Sequence, residues 1–478
     1  MRALLLLASL SLPASAGLPR SPKALKETIS FGAMEDLLKE LDASPFIEVS
    51  TIGWTGQGRP LYAVHADRSA GKAPWRVLLY AQQHGDEVSG KDAMLLLARE
   101  LGRDPALLPA EVDLWLLPSL NPDGGVKNAR RNAAGADLNR DHMQLEQPET
   151  RALYSLVQRL RPHVSVDCHE FTRDSEEYAK KGWLDWPVIT MDSLNNPLFA
   201  PEARAAAWRW VEDAAPAMEK AGHAYRRYMV GGVPPEEELR YSAPDVDGGL
   251  NGVGMYGGLS FIAEAGALRS SKGSENLDQR TAAFYDLFAH LLRYAAEHPQ
   301  DLEPEARPLP DFIPVNYFWA NPGGKTSSIP VVEKATGKAI GVKTANLMTE
   351  LVVKRSVRRP AAYIADQRLE RLLEAHAVPF IRLDSAKAVK AERCGLLSVE
   401  DAFDELYSRY EGRQIVRCDA AAAVEAPAGS LWVPLEGEAA LRAALLLEPN
   451  MLYGLYQYPG FKSLVGGDGT LPVSRVVQ

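Results

Sequence analysis

Two spacings of apolar residues, one near 3.6 and one of two, take turns along this chain. Leu25, Phe31, Met34, Leu37, Leu38 and Leu41 recur at helical spacing, so residues 17 to about 45 read as polar helix with one apolar face. Ile47 to Gly53 alternates as a strand. Trp54-Thr55-Gly56-Gln57-Gly58-Arg59-Pro60 then turns the chain, and Leu61 to His65 returns it, which predicts a hairpin. Val77-Leu78-Leu79-Tyr80-Ala81 is apolar throughout, as a strand buried on both faces must be. It stops abruptly at Gln82-Gln83-His84-Gly85-Asp86-Glu87, and helical spacing resumes from Gly90 to Leu101. Val112 to Leu117 is the next strand, running into the turn cluster Asn121-Pro122-Asp123-Gly124-Gly125 and a polar loop that continues to Asp141. Loops this long inside a compact domain are usually functional.

Further on, Gln147 to Leu160 is helix-like, and Val164 to Cys168 is a strand closing on His169-Glu170-Phe171. Residues 172 to 201 are irregular, Glu202 to Gly222 is helical, and the glycine-rich stretch from Tyr241 to Gly258 reads as loop. Leu259 to Glu264 is a strand ending in an acid, and Asn276 to Glu297 is a long amphipathic helix. Strands alternating with helices predict an α/β fold. Pro304, Pro308, Pro310 and Pro314, mixed with acids, mark a linker at residues 301–314 between a first domain, 17–300, and a second, smaller α/β domain, 315–478. The clearest pieces of the second are the Tyr363-Ile364 strand, a Leu369 to His376 helix, a Val378 to Leu383 strand, and Ser430 to Pro434 leading into an Ala439 to Leu447 helix. A length of 478 residues suits two cores better than one.

Composition narrows the class. The formal net charge of -9, with no long Lys/Arg cluster, argues against a nucleic-acid partner. Met1-Arg2, the apolar Ala3 to Leu12 and the small residues Ala14-Ser15-Ala16 read as a secretory signal peptide, residues 1–16, too short to span a bilayer. No later segment is apolar enough to span one. The expected location is therefore outside the cytoplasm, periplasmic or extracellular. Three cysteines make no disulfide framework; Cys394 and Cys418 are free to pair in an oxidising compartment, which leaves Cys168 unpaired.

Candidate chemistry sits where apolar runs stop. His84 and Glu87 follow one strand, His169 closes a second, and Glu264 closes a third. Parallel strands place such ends along one edge of a sheet, where open α/β sheets build their sites. Two imidazoles and a carboxylate are a zinc donor set, and His84, Glu87 and His169 supply one. Glu264 remains as an unligated carboxylate suited to accept a proton from water. His142, His163, His223, His290, His298 and His376 have no partners at metal spacing and read as structural or exposed.

With these residues placed, the first domain resembles the zinc carboxypeptidases, the carboxypeptidase A-like metallopeptidases. The resemblance rests on His84-Gly85-Asp86-Glu87, on Asn121-Pro122-Asp123-Gly124, and on Arg130-Arg131-Asn132 through Asp137-Leu138-Asn139-Arg140. It also rests on Asp167-Cys168-His169-Glu170 and Phe261-Ile262-Ala263-Glu264-Ala265-Gly266. It implies a mixed central sheet flanked by helices and one Zn²⁺ held by His84, Glu87 and His169. It also implies hydrolysis of a C-terminal peptide bond by zinc-activated water, with Glu264 as general base. Arg130 would stabilise the oxyanion, with Arg131 beside it as the alternative. Asn139 and Arg140 would hold the free C-terminal carboxylate of a peptide substrate. A substrate-capping tyrosine would be Tyr256 or Tyr241, with Tyr256 nearer the Glu264 strand. Two other readings use the same residues: an amidase acting on cell-wall peptides or acylated amino acids, and a non-catalytic binding protein.

Overall fold

A strand with no polar face needs cover on both sides, and the apolar runs of this chain occupy the middle of its largest sheet. The computed structural model describes residues 21–268, 275–302, 308–404, 409–458, 461 and 463–477. The expected leader at residues 1–16 and the centre of the expected linker, residues 303–307, lie outside the described residues. The sheet contains β1 (Ile47–Trp54), β2 (Pro60–Ala66), β3 (Trp75–Ala81), β4 (Val112–Leu117), β5 (Val164–Thr172), β6 (Ile189–Ser193), β7 (Tyr225–Arg227) and β8 (Leu259–Ala267). Their spatial order is β1-β2-β4-β3-β5-β8-β6-β7. The central pairs β4/β3, β3/β5 and β5/β8 are parallel, whereas β1/β2, β2/β4 and β8/β6 are antiparallel, so the sheet is mixed. β8 is buried along its whole length and β5 from Val164 to Glu170.

Helices Ser89–Arg103 and Pro201–Lys220 both pack against helix Leu277–Glu297, and Pro148–Leu160 lies on β1. Two stretches read as loop contain helix. Asn121-Pro122-Asp123-Gly124 starts the helix Pro122–Lys127: Asn121 Oδ1 accepts from Gly124 N at 2.9 Å, and Pro122 takes a first-turn position where its missing N–H costs nothing. Gly249–Gly254 is also helical.

The second domain holds helices Glu370–Ala375 and Ala440–Leu447, but every strand pair within it is antiparallel among the described residues. Its larger sheet includes Ala362–Ala365, Lys387–Asp404, Arg409–Cys418, Leu431–Pro434 and Thr470–Val476. Only Ile381–Arg382 pairs where a strand from Val378 to Leu383 was expected. Cys394 and Cys418 face each other in register and form a disulfide, and Cys168 is a buried free thiol.

The two domains share strands. Ser327–Glu333 takes Trp183–Asp185 of the first domain as an antiparallel neighbour, and Leu347–Met348 pairs in parallel with Leu239–Arg240. One hydrophobic core runs through both. His376 is a buried polar tie across this seam: its Nε2 donates to Met143 O at 3.0 Å, and its Nδ1 faces Tyr256 Oη at 3.0 Å. Burial, with nearby Arg442 adding to it, lowers the imidazole pKa to about 4, so the ring is neutral in the fold. In the unfolded chain an ordinary histidine takes up a proton near pH 6.5. The tie's contribution is therefore complete above that pH and is lost as pH falls from 6.5 toward 4. His376→Gln, which does not titrate, should be less stable than wild type at pH 7. That gap should shrink by up to about 1.4 kcal/mol per pH unit below 6.5. Denaturant midpoints at pH 7 and pH 5 measure it, and a gap that stays constant or widens excludes the assignment.

Candidate metal centre and active site

β3 ends at Ala81, and Gln82 turns the chain through a left-handed conformation with φ 57°. The turn is pressed against the Ala129-Arg130 segment: Gly85 N donates to Arg130 O at 3.1 Å. A Cβ on Gly85 would lie 2.2 Å from the carbonyl carbon of Gly124, so only glycine permits this approach. The tight turn aims His84 and Glu87 back over the carboxyl edge of the sheet, where β5 delivers His169.

The three side chains meet. Glu87 sits between the imidazoles, with Oε1 2.9 Å from His84 Nδ1 and Oε2 2.9 Å from His169 Nδ1. The two Nδ1 atoms are 3.1 Å apart. Each far nitrogen has a carboxylate: His84 Nε2 lies 3.0 Å from Asp137 Oδ1, and His169 Nε2 lies 3.0 Å from Asp167 Oδ2. Carboxylates at that position fix the tautomer and raise the basicity of metal-ligating histidines. Burial disfavours charge on all three groups. Their mutual attraction prevails, holding Glu87 well below the usual carboxylate range and raising both imidazoles. Two imidazole nitrogens and a carboxylate converging in one buried place are a donor set that fits zinc. Among the described residues, this is the one group of three His, Cys, Asp or Glu donors that converges in this way.

Glu264 lies opposite His169 in the β5/β8 register, buried but outside the donor group. Burial pushes its carboxyl up to about 7; Glu87 adds to the rise, while His169, Tyr228 and His84 oppose it. Of the two adjacent arginines, Arg130 reaches the cluster. Its Nε is 3.0 Å from Asp137 Oδ2, its Nη1 is 3.2 Å from His84 Nδ1 and 3.6 Å from Glu87 Oε1, and its side chain is 46% exposed. Arg131 instead donates to Gly135 O at 3.1 Å. Asn139 accepts from Gly249 N at 2.8 Å, and Arg140 Nη1 donates to Asn139 O at 2.7 Å.

Tyr256 is the exception. It precedes Leu259, at the amino end of β8, while Glu264 lies toward the carboxyl end, some 16 Å further along an extended strand. Its hydroxyl is taken by His376, and Arg442 stacks on its ring. Tyr241 lies beneath the Arg227 guanidinium, 3.5 Å from its ring centre, and edge-on to Trp319. The phenol that hydrogen-bonds Glu264 belongs to Tyr228. Sequence reasoning missed it because Tyr225–Arg227 is too short and too polar to read as a strand. A relay beneath the cluster also went unread. Gln83 Nε2 donates to Asp167 at 2.8 and 2.9 Å, and Gln83 Oε1 accepts from His142 Nε2 at 2.9 Å. His142 Nδ1 in turn meets Tyr154 Oη at 3.0 Å.

A buried two-histidine, one-carboxylate centre on the carboxyl edge of a mixed sheet defines a zinc-type metalloprotein. Residues 34–174 match the zinc carboxypeptidase family. It is similar to carboxypeptidase 2 of Trichophyton tonsurans, 26% identical over 253 residues, covering 51% of this chain and 47% of the relative. It is also similar to carboxypeptidase SOL1 of Arabidopsis thaliana, 31% identical over 179 residues, covering 32% of this chain and 36% of that one. The chain thus spans about half the length, or less, of these relatives. Among solved structures, carboxypeptidase A of Helicoverpa armigera overlaps 60% of this chain and 79% of its own, at 17% identity and a TM-score of 0.47.

The support given to His84 is testable without catalysis. Asp137→Ala should weaken zinc binding about 10- to 100-fold, read by chelator competition on the folded protein. Unchanged affinity would show that Asp137 does not support the ligand.

Proposed function

We propose that the protein is an exported metallocarboxypeptidase that hydrolyses the C-terminal peptide bond of peptides bearing a free carboxylate. The observation that carries this reading is Glu264, in register with His169, beside a three-donor cluster with Arg130 at its exposed mouth. Zinc held by His84, Glu87 and His169 would supply Lewis acidity, polarising the scissile carbonyl and making a nearby water more acidic. Glu264, as carboxylate, takes a proton from the attacking water and returns it to the leaving amine. Arg130 directs a guanidinium at the oxygen where negative charge develops, and Asp137 fixes that guanidinium in place through Nε. Asn139 and Arg140 hold the substrate's terminal carboxylate; arginine can do so through two parallel bonds that lysine cannot reproduce. The leader-like start supports export, as does the Cys394–Cys418 disulfide, since such bonds persist in oxidising compartments.

Glu264→Gln should keep one zinc per chain and lose about 10²–10⁴ in kcat. Full activity in a zinc-loaded Glu264→Gln protein would remove the base from this scheme. Arg130→Ala should cost about 10²–10³ in kcat. Peptides with free C-termini should be cleaved far faster than their C-terminal amides. Equal rates on the two would favour an amidase or endopeptidase, and no cleavage by zinc-loaded protein across a broad peptide panel would favour a binding protein.

A further inference from the structure

The segment that faces the carboxylate anchor is built largely on the second domain. It runs from Leu239 to Gly249, and second-domain residues meet it along its length. Leu347–Met348 adds a strand to Leu239–Arg240, with Leu239 N donating to Asn346 O at 2.8 Å. Trp319 Nε1 donates to Ser242 O at 3.0 Å. Tyr317 Oη accepts from Asn196 Nδ2 at 2.8 Å, and the same amide nitrogen donates to Pro244 O at 2.7 Å. Last, the buried phenol of Tyr458 hydrogen-bonds the Asp247 carboxylate, with Asp245 and Arg140 near enough to act on it electrostatically.

What Tyr458 holds is a wedge. Asp247 O accepts from His142 N at 3.1 Å, so the segment is tied to the residue that supports Gln83 and Asp167. Two residues on, Gly249 N donates to Asn139 Oδ1 at 2.8 Å. A Cβ on Gly248 would stand 3.1 Å from Asn139 Oδ1, and one on Gly249 would stand 2.2 Å from Asp167 Oδ2. Asp247-Gly248-Gly249 therefore fills the gap between the proposed anchor and the carboxylate behind His169, with no slack on either side. A shift of this backbone moves Asn139, and Arg140 with it, because Arg140 donates to the Asn139 carbonyl.

We propose that the second domain is a working part of the active site and that Tyr458 is a positioning residue. Through Asp247 it sets the Asn139-Arg140 anchor for the substrate's terminal carboxylate. This rests on the carboxypeptidase reading above. A hydroxyl that only props the fold would change stability and leave substrate choice alone. One that sets the anchor changes KM and the preference for a free carboxylate while sparing the metal and the base.

The experiment uses the full chain, zinc-loaded, with one blocked peptide in two forms, free acid and C-terminal amide. Tyr458→Phe should raise KM for the acid about tenfold, as expected for losing a hydrogen bond to a charged group, with kcat changed by less than about twofold. Its acid-over-amide preference in kcat/KM should fall by about the same factor, with zinc content as in wild type. Tyr363→Phe is the control. Its hydroxyl bonds Glu448 at 3.0 Å inside the second domain, so it removes a buried phenol bond of the same kind away from the loop. It should leave both KM and the preference unchanged. A Tyr458→Phe protein with wild-type KM and preference overturns the proposal. So does one whose kinetic changes are matched by Tyr363→Phe, since that is general loosening. A wild-type enzyme that shows no preference for the acid fails at an earlier step: the carboxypeptidase reading falls, and this inference with it.

Discussion

The Glu87 carboxylate, held between two imidazole nitrogens that are themselves 3.1 Å apart, is the constraint around which the first domain is arranged. Three groups that prefer water are buried together, and each would carry a desolvation penalty of several kcal/mol as an unpaired charge. The architecture answers this in layers. Glu87 also accepts from Glu170 N at 3.0 Å, and Glu170 receives Ser89 N and ion-pairs with the buried Arg280. Asp137 and Asp167 take the far nitrogens, and Arg130, Gln83 and His142 close around those carboxylates. A site carrying this many fixed partners is preorganised, so little rearrangement is needed when charge develops.

The same constraint explains how densely the surrounding turns are packed. Gly85 is needed because the Arg130 segment lies on the metal turn, and Gly249 because its backbone lies on Asp167; Gly248 fits tightly against Asn139. Backbone approaches of this kind leave the site stiff on its own side. Its substrate-facing side depends on the rest of the chain. That is why the added strand Leu347–Met348 and the phenol of Tyr458 matter: they supply from the second domain the rigidity that a long glycine-rich stretch lacks.

How much of this could be read in the sequence varied with where each contact comes from. His84, Glu87, His169 and Glu264 were legible because each ends an apolar run, and parallel strands bring such ends together. Arg130 was favoured over Arg131 by its register with Asn132 and the Asn139-Arg140 pair, and it is Arg130 whose side chain reaches the cluster while its carbonyl accepts from Gly85 N. Tyr256 was misread because nearness in sequence to Glu264 was taken for nearness in space, and the first half of β8, Leu259 to Ala263, separates them. Tyr228 gave no signal at all, because its contact crosses from β7 past β6 to β8. The second domain's ribbons were equally silent. Glu350–Arg358 is largely exposed and has no apolar face, so no period marks it as a strand.

Tyr228 and Tyr458 together bear on what each domain contributes. Both phenols are hydrogen-bonded to buried carboxylates, Tyr228 to Glu264 and Tyr458 to Asp247, and in the proposed reaction these lie toward the scissile carbonyl and toward the terminal carboxylate respectively. Tyr228 restrains Glu264, the proposed base, from within the main sheet. Tyr458 restrains Asp247, and so the proposed anchor, from outside it. A substrate is cleaved only if its carbonyl and its terminal carboxylate are placed at once, and an error of about 1 Å between the two can cost about 10²-fold in rate. Placing one restraint in each domain makes that distance a property of the seam between them. The shared strands, the common core and the buried His376 tie are what keep the seam from slipping.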